Sequence, residues 1–174
     1  IKKTFKKISL MALLVCFSQT SFANANANAN ANANANANTN ATLAKTKINS
    51  TLDRFHQAAA QANLTQYFAL LTDDAVFLGT DANERWTKTA FKSFVSPYFN
   101  RGQGWLYRPL DRHINLHNNT AFFDELLSSK SYGLCRGSGV LYKTKTGWKI
   151  AQYNLSIPLP NALAKDVVKF IKNK

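Results

Sequence analysis

The chain is poor in cysteine, with two among 174 residues, Cys16 and Cys135. Cys16 lies in a basic and apolar leader, so Cys135 stands alone in the remainder of the chain. No intramolecular disulfide and no zinc ribbon can hold the fold, which must rest on an apolar core. Cys135 itself, set in an apolar strand, reads as a small buried residue rather than a nucleophile. Histidine is scarce as well: His56, His113 and His117 show no HExxH spacing, and no metal site or other cofactor is expected. The glycines of Asn100–Trp105 lack a following Gly-Lys-Ser/Thr, which excludes a phosphate loop, and no Gly-x-Ser-x-Gly elbow is present. Acidic residues are few, nine Asp and Glu against 22 Lys and Arg, a formal net charge of +13. The cations are scattered without a run of three beyond the leader, which suits a solubilising surface better than a nucleic-acid footprint. No nucleic-acid partner is expected.

What is present begins with a leader. Residues 1–23 join Lys2, Lys3, Lys6 and Lys7 to an apolar stretch and the small-residue ending Ser21-Phe22-Ala23, the outline of a secretory signal peptide cleaved after Ala23. The apolar stretch of about ten residues is too short to span a bilayer, so no membrane insertion is expected once it is removed. A lipid anchor on Cys16 is disfavoured by Val15, where a small residue is normally needed. The expected location is periplasmic or secreted. Residues 24–43, mostly alternating Asn and Ala, offer almost no apolar area and read as a disordered tether.

Residues 44–174 read as one α+β domain, large enough for its own core. Ile48, Leu52, Phe55, Ala59 and Ala62 recur at helical spacing, and Leu64–Leu71 makes a second short helix. Thr72-Asp73-Asp74 reads as a turn before a short strand at 75–79. Thr87 can cap a helix from Lys88 to about Val95 with Ala90, Phe91 and Phe94 inward, and Pro97 lies near its end. From Trp105 to Pro158 come strands rich in aromatic and β-branched residues, parted by turns at 117–119, 128–133 and 144–147, the signal of a meander. Asn161 can cap a last helix. Such a sheet with helices on one face is expected to curve strongly around them and enclose a cavity.

The segments Leu52–Phe94, Phe122–Leu127 and Cys135–Asn161 together resemble the nuclear-transport-factor-two-like superfamily, and within it SnoaL-like domain proteins. The resemblance implies a cone-shaped, curved sheet, mixed but mostly antiparallel, wrapped around N-terminal helices. It is shared with ketosteroid isomerase, scytalone dehydratase and polyketide cyclases, and is nearly silent about reaction. Tyr67, His113 and Asp124 supply residue types found in those sites without matching a complete set.

Several residues are candidates for chemistry. With the turn centred near Lys130-Ser131, Glu125 and Arg136 face each other across two strands, an arginine to bind an oxyanion and a glutamate to orient it or act as base. Asp124 and Glu125 have opposite parity, so only one points inward. His113 is a third candidate acid or base, whereas His56 is expected on a helix flank. On the last strand Gln152, Asn154 and Ser156 share a face, and the resemblance favours Gln152 and Asn154, with Trp86 at the mouth, as ligand contacts. The expected function is binding of a small, partly apolar molecule, with isomerisation, cyclisation or dehydration by proton transfer as the fitting reaction class. The alternative is a non-catalytic module that forms a homodimer or docks an envelope partner.

Overall fold

The computed structural model of the chain describes residues 19–173. Most of the leader, residues 1–18, and with it much of the expected signal peptide, lies outside them. A helix, α1, runs Gln19–Ala60 and includes the Asn-Ala repeat expected to be a disordered tether. Alanine has the strongest helix propensity of any residue, and in the repeat it offsets asparagine at every second position. Thr39 and Thr42 also return their hydroxyls to the carbonyls of Ala35 and Asn38. Contacts divide the chain between Thr42 and Leu43, and the second unit is the one with the core.

In that unit the last turns of α1 are followed by α2 (Leu64–Ala69), β1 (Leu71–Leu78), β2 (Arg85–Thr87) and α3 (Lys88–Phe99). Then come β3 (Tyr107–His117), β4 (Thr120–Ser129), β5 (Gly133–Thr144) and β6 (Gly147–Ser156). A 3₁₀ turn at Asn161–Leu163 leads into α4 (Ala164–Lys172). Thr87 caps α3 by accepting the Ala90 N–H at 3.3 Å. Pro97 does not stop that helix, because so near its end it removes only one intrahelical bond. Residues 72–74, expected as a turn, belong to β1.

The six strands form one sheet in the order β2-β1-β6-β5-β4-β3. Four are an antiparallel meander, and β1 inserts beside β6 in parallel. The expectation of a cone is not met: β2 and β3 end the sheet as separate edges, and the sheet is neither strongly curled nor closed. The strand that would have to meet β3, β2, is three residues long, too short to complete the stagger that closure requires. Helices cover the inner face instead. Ile48, Leu52 and Phe55 of α1 and Phe91 and Val95 of α3 pack on Ala121, Phe123, Leu127, Leu141 and Ile150 of the sheet.

Two irregularities decide which side chains face this core. At the edge, β3 carries Pro109, which cannot donate to the ladder, and its register with β4 shifts between Pro109 and Asp111. In β6 the pairing jumps from Gln152 to Ile150 between Val140 and Leu141, leaving Ala151 as an extra residue. Each shift exchanges the inward and outward parity of the rest of its strand. Ile150, fully buried just before the second bulge, tests the core. Ile150→Ala is expected to destabilise the domain by about 2–5 kcal/mol, seen as a lower urea midpoint at unchanged slope. A shift under about 1 kcal/mol would show that β6 does not anchor the core.

Candidate functional site

The inward positions of β4 are Ala121, Phe123, Glu125 and Leu127, so an ionisable side chain stands in an otherwise apolar row. Glu125 is 1 % exposed. A buried carboxylate is costly unless it is paired and hydrogen-bonded, and three elements supply the partners. From α1, His56 Nε2 lies 2.7 Å from Glu125 Oε1. From β6, the Tyr153 hydroxyl donates to the same oxygen at 3.0 Å. From β3, Arg112 Nε donates to Oε2 at 2.8 Å.

The bulges make this convergence possible. Beyond the shift at Pro109–Asp111, Arg112 sits directly opposite Glu125 and Ile114 opposite Phe123, both pointing inward. Beyond Ala151, Tyr153 and Leu155 turn inward. Room for the Tyr153 hydroxyl comes from Gly137, the cross-strand partner of Glu125; a Cβ there would strike that hydroxyl and approach Glu125 Oε1. Arg112 is held in turn by α1, its Nη1 donating to Asp53 Oδ1 at 2.8 Å and to Asn49 Oδ1 at 3.1 Å.

These contacts set the electrostatics. Burial pushes the Glu125 carboxyl upward, but the hydrogen bond from His56 and the guanidinium of Arg112 outweigh it and hold the group below the ordinary glutamate value. Burial works against the Arg112 charge too, and Glu125 with Asp53 more than restores it. Burial, then the Glu125 charge, holds the Tyr153 phenol well above its usual range, so the hydroxyl stays a donor. An ionised carboxylate only accepts, which makes His56 Nε2–H the donor to Oε1. Among the described residues His56 Nδ1 makes no hydrogen bond.

His56 and Tyr153 also line a cleft of about 400 Å³ between the helices and the inner sheet face. Its inner walls are aromatic. Phe77 stacks between Phe91 and Tyr153, with centroids 4.0 and 5.7 Å away, and Phe55 stacks on Tyr67 at 4.4 Å. The outer end is marked by rings that remain exposed, Phe94, Tyr98 and Tyr132. Trp86 stacks on Phe94 at 5.1 Å and lines the same end.

The expected site residues are distributed differently. Glu125 is inside and Asp124 outside. Arg136 is not the partner of Glu125: the connection spans three residues with Gly133 at φ +68°, Arg136 pairs with Leu126, and its side chain is on the exposed face. A centre displaced by half a residue is enough to invert a strand's faces. His113 pairs with Asp124 on the outer face and binds Asp111 at 3.0 Å, because the Pro109 bulge gave the inward position to Arg112. Gln152 is exposed and Asn154 does not line the cleft; the extra Ala151 put Tyr153 and Leu155 there instead. His56, expected on a helix flank, is 6 % exposed in the core. Its sequence signal is position: it follows Leu52 by four residues and precedes Ala59 by three, within the apolar stripe. Phe94, expected inside, lines the cleft mouth.

An open mixed sheet with a helical cover over an aromatic cleft is the architecture of the NTF2-like superfamily. The SnoaL-like domain family matches residues 48–160, and the chain belongs to that family. Solved structures agree on the fold. An NTF2-like protein of unknown function from Pseudomonas putida is similar at 15% identity and TM-score 0.59, covering 69% of this chain and 90% of that one. An NTF2-like protein with a cystatin-like fold from Novosphingobium aromaticivorans is similar at 12% identity and TM-score 0.59, covering 77% and 94%. A candidate dehydratase of the NTF2-like family from Streptomyces avermitilis is similar at 15% identity and TM-score 0.55, covering 68% and 98%. No curated protein matches the chain. Among the described residues, no helix is long and apolar enough to cross a membrane and no His, Cys, Asp and Glu cluster could hold a metal ion.

Because the folded-state pKa of Glu125 lies below its unfolded value, its ionisation contributes stability that is present above the ordinary glutamate range and lost as pH falls through the folded value. Glu125→Gln leaves Arg112 without its buried counter-charge and is expected to cost about 3–5 kcal/mol at neutral pH. The gap from wild type should narrow in urea titrations below about pH 4. A gap of the same size at pH 7 and pH 3 would mean that Glu125 is not ionised in the fold.

Proposed function

We propose that the chain binds a small, largely apolar molecule in the aromatic cleft and that His56, backed by Glu125, moves a proton on it. The observation that carries this reading is that two polar groups on the wall of the cleft, the His56 imidazole and the Tyr153 hydroxyl, converge on one buried carboxylate oxygen. A carboxylate holding Nε2–H fixes the ring's tautomer and orientation and stabilises an imidazolium when one forms. Nδ1 is then the nitrogen that can take a proton from a bound molecule and return it. Arg112, on the other carboxylate oxygen, keeps Glu125 charged through that cycle. Tyr153 stays protonated and can share its hydroxyl with a developing oxyanion. Aromatic walls exclude water, and proton removal beside a carbonyl is the step this arrangement suits, in an isomerisation, cyclisation or dehydration. An exported setting belongs to the same reading and rests on the leader composition of residues 1–23.

The test is solvent-deuterium incorporation into 2-tetralone, a flat ketone with exchangeable protons beside its carbonyl, followed by NMR. Exchange is expected to exceed the buffer rate, and His56→Gln should lower the enzymatic part by about 10²-fold. Exchange no faster than buffer, or untouched by the substitution, would remove the proton-transfer reading.

A second reading concerns the opposite face of the sheet. Phe122, Leu134 and Tyr142 stay exposed there, an apolar set that a second copy of the chain could cover. Sedimentation velocity at micromolar concentration is then expected to show a dimer that Phe122→Lys dissociates; a wild-type monomer would dispose of the idea.

A further inference from the structure

The charge around the cleft runs against the charge of the chain. Among the described residues no Lys or Arg lines it. The one carboxylate that lines it among the described residues is Glu84, at the outer end. We propose that this outer end is a cation subsite, which takes the substituted ammonium group of a ligand whose apolar, aromatic-sized body fills the interior. The proposal rests on the reading of the cleft as a ligand site and names the class of ligand.

Two independent features point to a cation. First, Glu84 is placed at the cleft without a cationic partner. It follows the Asp81 turn, where Oε2 accepts the Asp81 N–H at 3.2 Å, and no Lys or Arg pairs with it among the described residues. Gly79 leaves the space for that carboxylate, since any Cβ there would overlap it. The Tyr107 hydroxyl, which also lines the cleft, is pushed up to about 12 by burial first, then by Cys135, Tyr132 and, last, Glu84. Second, the same cleft is lined by a run of rings, Trp86 on Phe94 at 5.1 Å and Phe94 beside Tyr98 at 5.7 Å. Ring faces attract cations, and one cation already uses this wall: the Arg101 guanidinium sits 5.5 Å from the Tyr98 centroid.

A cleft that holds a carboxylate together with aromatic rings suits an alkylated ammonium, which needs no hydrogen-bond acceptor beyond the carboxylate and loses little hydration. A ligand carboxylate or phosphate would meet Glu84 and ring faces, and among the described residues no Lys or Arg lines the cleft to receive it, Arg101 lying against Tyr98 outside that lining. The net positive charge of the whole chain does not reverse this, because exposed charges are screened beyond about 8 Å at physiological salt while Glu84 acts at contact.

The test compares three probes of one shape class by tryptophan fluorescence and calorimetry on the full chain at pH 7: benzyltrimethylammonium, benzyl alcohol and phenylacetate. The cation is expected to bind about tenfold more tightly than the alcohol, with phenylacetate weakest. Glu84→Gln should weaken the cation about fivefold and leave the alcohol unchanged. Phenylacetate binding as well as the cation, or a cation indifferent to Glu84→Gln, overturns the proposal. The wild-type ranking alone decides the matter should that variant fold poorly. Alcohol binding without charge preference removes the cation subsite only, whereas failure of all three probes to bind removes both it and the ligand-binding reading of the cleft.

Discussion

The structure turns on one buried carboxylate. Glu125 sits in the apolar row of β4, where an unpaired charge would offset much of the stability of a small domain. Its ionisation is tolerable only because α1, β3 and β6 each bring a donor to it. Those elements lie far apart in the chain, so the contact that neutralises the charge also fixes where the first helix lies on the sheet and how the two strands are registered. Fold and site are in this sense one arrangement. Two residues that line the inner cleft, His56 and Tyr153, are among those without which the core would hold an orphaned charge.

The two carboxylate oxygens have separate duties. Oε2 belongs to Arg112, which is tied down again by Asp53 and Asn49 at the outer flank of α1. Oε1 belongs to the cleft, through His56 and Tyr153. The anchoring half can be rigid while the cleft half keeps an imidazole with one uncommitted nitrogen. Around it, Phe77, Phe91 and Tyr153 form a continuous stack.

Much of the element order is legible in the sequence because it is written in local patterns: the three-and-four spacing through Ile48, Leu52 and Phe55, the Thr87 cap, and aromatic strands parted by turn formers. The parallel insertion of β1 beside β6 and the short β2 are not, since pairing between segments some 75 residues apart leaves no local trace. The site is harder still, because it depends on parity. Simple alternation puts Gln152 and Asn154 on the same face as the buried Trp148 and Ile150, and one extra residue at Ala151 reverses that. The same holds for His113 against Arg112 after Pro109, and for Arg136 at the three-residue connection. Glu125 is identifiable by type but cannot be oriented without the register. His56 lies within an apolar stripe, and its residue type argues for the surface while its position argues for the core.

The Ala151 bulge has an implication for how such domains diverge. Removing Ala151 would straighten β6 with its pairing unchanged, Gln152 still opposite Val140 and Ile150 opposite Leu141, so Tyr153 and Leu155 would stay on the inner face; keeping Ala151 but pairing it in regular register would instead bring Gln152 and Asn154 inward. A lineage built on this sheet can thus lose a residue here and keep its lining, or keep the residue, lose the bulge, and present two amides in place of a phenol and an aliphatic chain.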